Sequence, residues 1–304
     1  MPFLPKAAQY MLLSALGFSL MSLFVKLSAD LGIPVMEILA ARALVSLVLS
    51  FVTLKASGIP LLGTNKWLLT LRGFVGFLAL SLGYYAVTHL PLAMATILQF
   101  LNPAFTAVLG FFILKEAVNA GTFSCIVLSI CGALAITAPS LIGSMSDIQV
   151  ETFSLVAIAF GIGGALCSGF AYVIVKKLSK KEHPLVIVFY FPLIALPASV
   201  PFFWDEFVIP DLKGFIYLVL VGCFTQVGQV YMTKGMQLES ASKATAYLYM
   251  QVVFATILGV IFLNEIPSIP TYAGAALIFI GAYINLIYKT KGPCCMEGSY
   301  RLIL

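Results

Sequence analysis

Charge is scarce in this sequence, and so are the residues that do chemistry. Only 10% of the 304 residues are Asp, Glu, Lys or Arg, histidine occurs twice (His89 and His183), and 61% belong to the apolar and aromatic set. A water-soluble fold could not hide that much apolar surface, so an ordinary soluble domain is excluded and lipid is the expected solvent. The histidines lack a Ser, Cys or acid at a catalytic spacing, and no Gly-rich phosphate loop or H-E-x-x-H segment occurs. Membrane enzymes need clustered acids, histidines or metal ligands near the interface; no enzyme activity, metal or cofactor is expected. The six cysteines lack the C-x2-C or His-paired spacing of a zinc or redox site. Cys125, Cys131, Cys167 and Cys223 read as small apolar fillers, while Cys294 and Cys295 follow the last apolar run, where acylation is chemically open. Net charge is +5, yet the 17 Lys and Arg fall mostly in short connections. That is a topology signal and not a nucleic-acid footprint.

What the chain does have is apolar runs. A crossing helix needs about 20 mostly apolar residues and satisfies its backbone within itself. Runs of that kind lie near residues 7–28, 33–54, 66–88, 92–114, 120–139, 152–175, 185–203, 213–233, 243–263 and 270–288. The expected class is an all-α integral membrane protein of ten transmembrane helices. Lys6 before the first run imitates a secretory signal, but the run has a counterpart in the second half and is expected to stay. With the N-terminus in the cytoplasm, that side collects Lys6, Lys55, Lys66, Arg72, Lys115, Lys176, Lys177, Lys180, Lys181, Lys234, Lys243, Lys289, Lys291 and Arg301. Lys26, Arg42 and Lys213 remain for the other side or the spans. Both termini are therefore expected to be cytoplasmic, in a plasma or inner membrane.

The two halves echo each other. Thr96, Gly110, Glu116 and Gly132 answer Thr245, Gly259, Glu265 and Gly281 at a displacement of 149 residues. Ala15, Leu16, Val25 and Lys26 answer Ala165, Leu166, Val175 and Lys176 at 150. The chain divides into a first five-helix repeat (1–143), a second (150–291) and a cytoplasmic tail (292–304). Five is odd, so the second copy enters from the opposite face and the repeats are inverted. Such halves can exchange conformations around a central cavity; the plainer alternative is that duplication merely makes a stable bundle.

Polar side chains deep in a span are costly and should face the interior or water. In the fourth span Gln99 and Asn102 share a face, and Pro103 deprives the Gln99 carbonyl of its helical partner. The repeat places Gln251 opposite Asn102. Tyr247, one turn before Gln251, is the better cavity candidate, and Tyr249 a packing residue. Gln226, Gln229 and Thr233 form one stripe on the eighth span, with Tyr84 or Tyr85 and Tyr172 as aromatic walls. Each of these could instead hydrogen-bond or pack between helices. Glu37 is expected to reach water near the outer surface. Arg42 either snorkels, binding carbonyls and Glu37, or recognises an anionic substrate group. Glu116 and Glu265 close the fourth and ninth spans, where a carboxylate can accept N–H bonds from the start of the next helix; their alternative role is gating. Gly161, Ala165 and Gly169 indicate close helix packing.

The segments "YYAVTHLPLAMATILQFLNPAFTAVLGFFILKE" and "YMTKGMQLESASKATAYLYMQVVFATILGVIFLNE" resemble the drug/metabolite transporter superfamily, specifically its EamA-type ten-helix carriers. "RGFVG" and "GQVYMTKGMQLE" look more like the solute carrier 35 G-type members than the amino-acid exporters. The resemblance implies a pseudosymmetric bundle whose cavity is lined by spans 1, 3, 4, 6, 8 and 9, without a cofactor. The small four-helix relatives carry protons on a glutamate in their first span, a residue this chain lacks. The expected function is a secondary or facilitative carrier of a small polar metabolite, such as an amino acid, by alternating access. A nucleotide sugar or other organic anion would need more cations in the spans; a channel or a scaffold without turnover is the different class. The expected partners are the small-molecule substrate and the lipid bilayer, for a monomer or homodimer.

Overall fold

A computed structural model of the chain describes residues 5–89, 98–147, 155–203, 208–263 and 269–288. The helices are α1 (Lys6–Ala29), α2 (Val35–Ala56), α3 (Lys66–His89), α4 (Asn102–Leu109, extended by a π turn Gly110–Leu114) and α5 (Ala120–Asp147). The second half holds α6 (Leu155–Leu178), α7 (Pro184–Phe203), α8 (Leu212–Leu238), α9 (Ala241–Ala246, a 3-10 turn Tyr247–Tyr249, then Met250–Leu263) and α10 (Ile269–Ile287). Among the described residues six helices are long and apolar enough to cross a membrane, and four shorter apolar ones complete the set. Local chemistry sets the ends. Pro5 and Pro34 precede α1 and α2, where a fixed φ suits a helix start. Gly32 and Gly58 take positive φ just past their ends, a region open to a residue without Cβ. The Asp211 carboxylate accepts the Gly214 N–H and caps α8.

Packing follows the repeat. α1 lies against α8 and α9, and α6 lies against α3 and α4. α2 pairs with α7 and α5 with α10. Exchanging the two halves maps each of these pairs onto another or onto itself. The correspondence reaches single residues: Ser14 Oγ donates to the Gly228 carbonyl at 2.8 Å. Its counterpart is Gly164, where a Cβ would stand 3.1 Å from the carbonyl of Ala79, the counterpart of Gly228. The small-residue stripe on α6 does what its spacing indicates. A Cβ on Gly161 would strike Leu98, and one on Gly169 would sit 3.0 Å from the Thr106 nitrogen.

One end of the bundle is shut. The largest buried cluster includes Met11, Leu54, Leu69, Leu178, Ile187, Met236 and Ala244. These belong to the start of α1, the end of α2, the start of α3, the end of α6, the start of α7, the end of α8 and the start of α9. They share the end that carries Lys6 and Ile287. Glu182, between α6 and α7, is tied there to the α2–α3 connection by accepting the Thr64 hydroxyl and the Asn65 N–H. Large side chains such as Phe112 and Phe262 face outward, which suits lipid and not water.

Candidate substrate-binding cavity

A cavity of about 350 Å³ opens above the packed end. It is lined by the expected spans 1, 3, 4, 6, 8 and 9, and additionally by Arg42 of α2 and Phe191 of α7. Gln99, Asn102, Pro103, Tyr172, Gln229, Gln251 and Arg42 all reach it.

Pro103 shapes one wall. Without its N–H the helix cannot run continuously into Asn102, so Leu101 bonds back only to Leu98, at 3.2 Å. Just before the break the Phe100 carbonyl, not that of Gln99, accepts the Tyr249 hydroxyl at 2.7 Å. Tyr249 lines the cavity and Tyr247 does not; Tyr247 belongs to the packed core. Tyr249 packs in its own buried cluster, as expected, and in addition borders the cavity that Tyr247 was expected to reach. The 3-10 turn over Tyr247–Tyr249 winds three residues per turn, which destroys the i, i+4 relation assumed between Tyr247 and Gln251. Ser19 Oγ donates to the Gln251 carbonyl at 2.8 Å and fixes α1 to α9.

The polar stripe on α8 also divides. Gln229 reaches the cavity. Gln226 accepts from Ser46 at 2.6 Å and donates to Ser50 at 2.8 Å, joining α8 to α2. Thr233 donates back to the Gln229 carbonyl at 2.8 Å and is buried. Both are interhelical or intrahelical anchors and not cavity groups, because only part of a helical stripe can face one pocket when α2 packs beside it.

Arg72 is a cavity residue that the sequence hid. Its position near the start of α3 groups it with interfacial cations, yet it lies about 9 Å along the helix from Lys66 and is only 4% exposed. Nη2 donates to Gln229 Oε1 at 3.1 Å, and the guanidinium lies 4.9 Å from the centre of the Phe191 ring. Nε and Nη1 are buried with no hydrogen-bond partner among the described residues. Gly76, four residues on, is the one sequence signal: a Cβ there would sit 3.1 Å from Nη1. Arg42 and Tyr172 lie within electrostatic range, and no Asp or Glu is among the described lining residues. A buried guanidinium with two nitrogens lacking a partner among the described residues is costly in low dielectric.

Glu37 and Glu116 each hold a backbone N–H away from the cavity. Glu37 is buried and accepts the Val208 N–H at 3.0 Å, so it does not reach water as expected. Glu116 accepts the Ala241 N–H at 2.7 Å. It caps the start of α9, across the repeat boundary, and not the next helix, whose start Asn119 caps through the Thr122 N–H. Burial raises the Glu116 carboxyl above the usual range, against the opposing pull of the Ala241 N–H and of Lys176. Lys176 Nζ donates to the carbonyls of Met236 and Glu239 at the end of α8. The side chain of Tyr84 and all of Glu265 lie outside the described residues.

Residues 5–138 and 155–287 each match the EamA-like transporter family. The chain is 30% identical over 281 residues to the pseudopaline exporter CntI of Pseudomonas aeruginosa, covering 92% of this chain and 95% of that protein. It is 31% identical over 293 residues to human solute carrier family 35 member G1, covering 93% and 80%. A solved crystal structure superposes with a TM-score of 0.73 at 16% identity, over 90% of this chain and 95% of that one, which shows the fold.

Proposed function

Because the chain belongs to the EamA-like transporter family, we propose that it carries a small organic solute bearing an anionic group, such as a carboxylate, by alternating access. The observation that carries this is Arg72, buried at the cavity wall with Nε and Nη1 lacking a partner among the described residues. A carboxylate offers a guanidinium two oxygens in matching geometry. Gln99, Asn102, Gln229 and Gln251 supply amides for the rest of the solute, and Tyr172 and Phe191 supply aromatic walls. Arg72 adds the cation whose apparent absence favoured a neutral or zwitterionic solute. An organic anion therefore moves ahead of an amino acid.

The packed end gathers the lysines of the short connections, which supports cytoplasmic termini in a plasma or inner membrane. With that end packed, we read the cavity as facing the other side. With no carboxylate among the described lining residues, exchange or facilitated diffusion fits better than proton carriage by a side chain.

Counterflow in proteoliposomes tests the proposal. Vesicles preloaded with unlabelled mono- or dicarboxylates should take up the labelled compound saturably, faster than vesicles preloaded with neutral or cationic solutes. Uptake indifferent to the internal solute would indicate a channel, and counterflow confined to neutral or cationic solutes would refute the anionic assignment.

A further inference from the structure

A second recess, separate from the central cavity, lies at the shut end. Its volume is about 660 Å³, and its walls include the start of α1, the α6–α7 turn and the end of α8. Lys6, Lys180, Lys181 and Lys234 converge on it from these three sequence-distant segments. Among the described residues none of the four forms an ion pair with an acid. The acid in the wall, Glu182, is buried and engaged by the Thr64 hydroxyl and the Asn65 N–H, both of which it accepts. Tyr10 and Tyr231 make a shelf beside it, with ring centres 5.8 Å apart and the Lys234 ammonium 5.4 Å from the Tyr231 centre.

Positive-inside topology accounts for lysines in the short loops at this end. It does not require lysines from three segments to share one recess while the neighbouring carboxylate is engaged elsewhere. Like charges held together without a counter-ion repel, and an anion relieves that repulsion. Lysine ammoniums are compact, hydrated point charges that suit phosphate, and tyrosine rings suit the headgroup layer. Basic recesses between membrane helices at a lysine-rich face bind phosphorylated headgroups.

We propose that this recess is a binding site for a phosphorylated anion, the headgroup of a membrane lipid or a free phosphorylated solute. Held there, the anion ties α1 of the first half to α8 and the α6–α7 turn of the second. The site does not depend on what the central cavity carries.

The test uses the full chain in phosphatidylcholine nanodiscs, with and without phosphatidylinositol bisphosphate, and separately with inositol trisphosphate or inorganic phosphate added to the buffer. Melting temperature and the mass of retained lipid are read. A phosphorylated probe should raise the melting temperature by about 2–4 °C, and the combined variant Lys180→Gln/Lys181→Gln/Lys234→Gln should lose the rise. Lys115→Gln, at the same end but outside the recess, should keep it. A rise with the lipid alone identifies a headgroup site, and an equal rise with the soluble phosphates identifies a site for free anions. Should the combined variant fold poorly, Lys181→Glu alone should reduce the rise given by whichever phosphorylated probe raises the wild type. An equal rise in the combined variant, an undiminished rise in Lys181→Glu, or no rise with any phosphorylated probe overturns the proposal.

Discussion

The hydroxyl of Tyr249 donates to the carbonyl of Phe100 at 2.7 Å, and the two residues occupy the same position in the two repeats, 149 residues apart. Their rings lie 6.1 Å centre to centre. The bond therefore joins α4 and α9 across the local pseudo-two-fold at the cavity wall. Tyr249→Phe keeps the ring and removes the bond. A lost buried hydrogen bond should lower stability by about 1 kcal/mol, and counterflow should slow because the wall is no longer pinned. Tyr247→Phe, in the packed core, should leave substrate affinity unchanged; thermal denaturation and counterflow measured in parallel separate the two tyrosines.

Gln226 and Gln229 are one turn apart on α8 and should fail differently. Gln226→Leu strands Ser46 and Ser50 on α2 and should cost about 1–3 kcal/mol of stability with little change in KM. Gln229→Leu removes the acceptor for Arg72 Nη2 and should raise KM with a smaller effect on stability. Both effects on KM would have to be equal for the assignment of Gln226 to the α2–α8 contact to be wrong.

Legibility in the sequence depended on whether a helix stayed regular. The ten spans and the inverted repeat could be read because apolar runs and a fixed displacement survive any detail of packing. Asn102, Gln251 and Gln229 could be placed because each is a polar group deep in a span. Tyr247 was misread because a 3-10 turn of three residues shifts the angular phase, which no periodicity count registers. Arg72 was misread because depth was judged from position along the run; Gly76, the residue that makes room for the guanidinium, looked like any helical glycine. Glu116 was expected to act on its neighbour in sequence, whereas its partner Ala241 lies 125 residues away in the other half.

The Glu116 cap carries a pH signature. Its carboxyl is raised in the folded state, so the folded chain binds that proton more tightly than the unfolded chain does. The resulting stability is fully present below the ordinary glutamate pKa of about 4.3 and is lost as pH rises through the raised value. Acidification from neutral pH should thus raise the melting temperature of the wild type more than that of Glu116→Gln, which cannot titrate. Parallel curves for the two proteins over that range would mean that Glu116 does not titrate differently on folding.

The α1–α8 crossing is set by glycine. A Cβ on Gly17 would lie 3.0 Å from the Gly228 nitrogen, and backbone cannot yield as a side-chain tip can. Gly17→Val should force the helices apart and cost about 1–3 kcal/mol, read as a lower melting temperature. Gly83→Ala, where an added Cβ meets nothing within 4 Å, should show no comparable loss.

Equilibrium binding of the carboxylate that gives the fastest counterflow, titrated into wild type, Arg72→Lys and Arg72→Gln, tests the central assignment most directly. Arg72→Lys keeps the charge but loses the paired N–H geometry, so it should weaken binding by about tenfold, and Arg72→Gln, without charge, should weaken it by about a hundredfold. Unchanged affinity in Arg72→Gln, in protein that still melts cooperatively, would contradict the account.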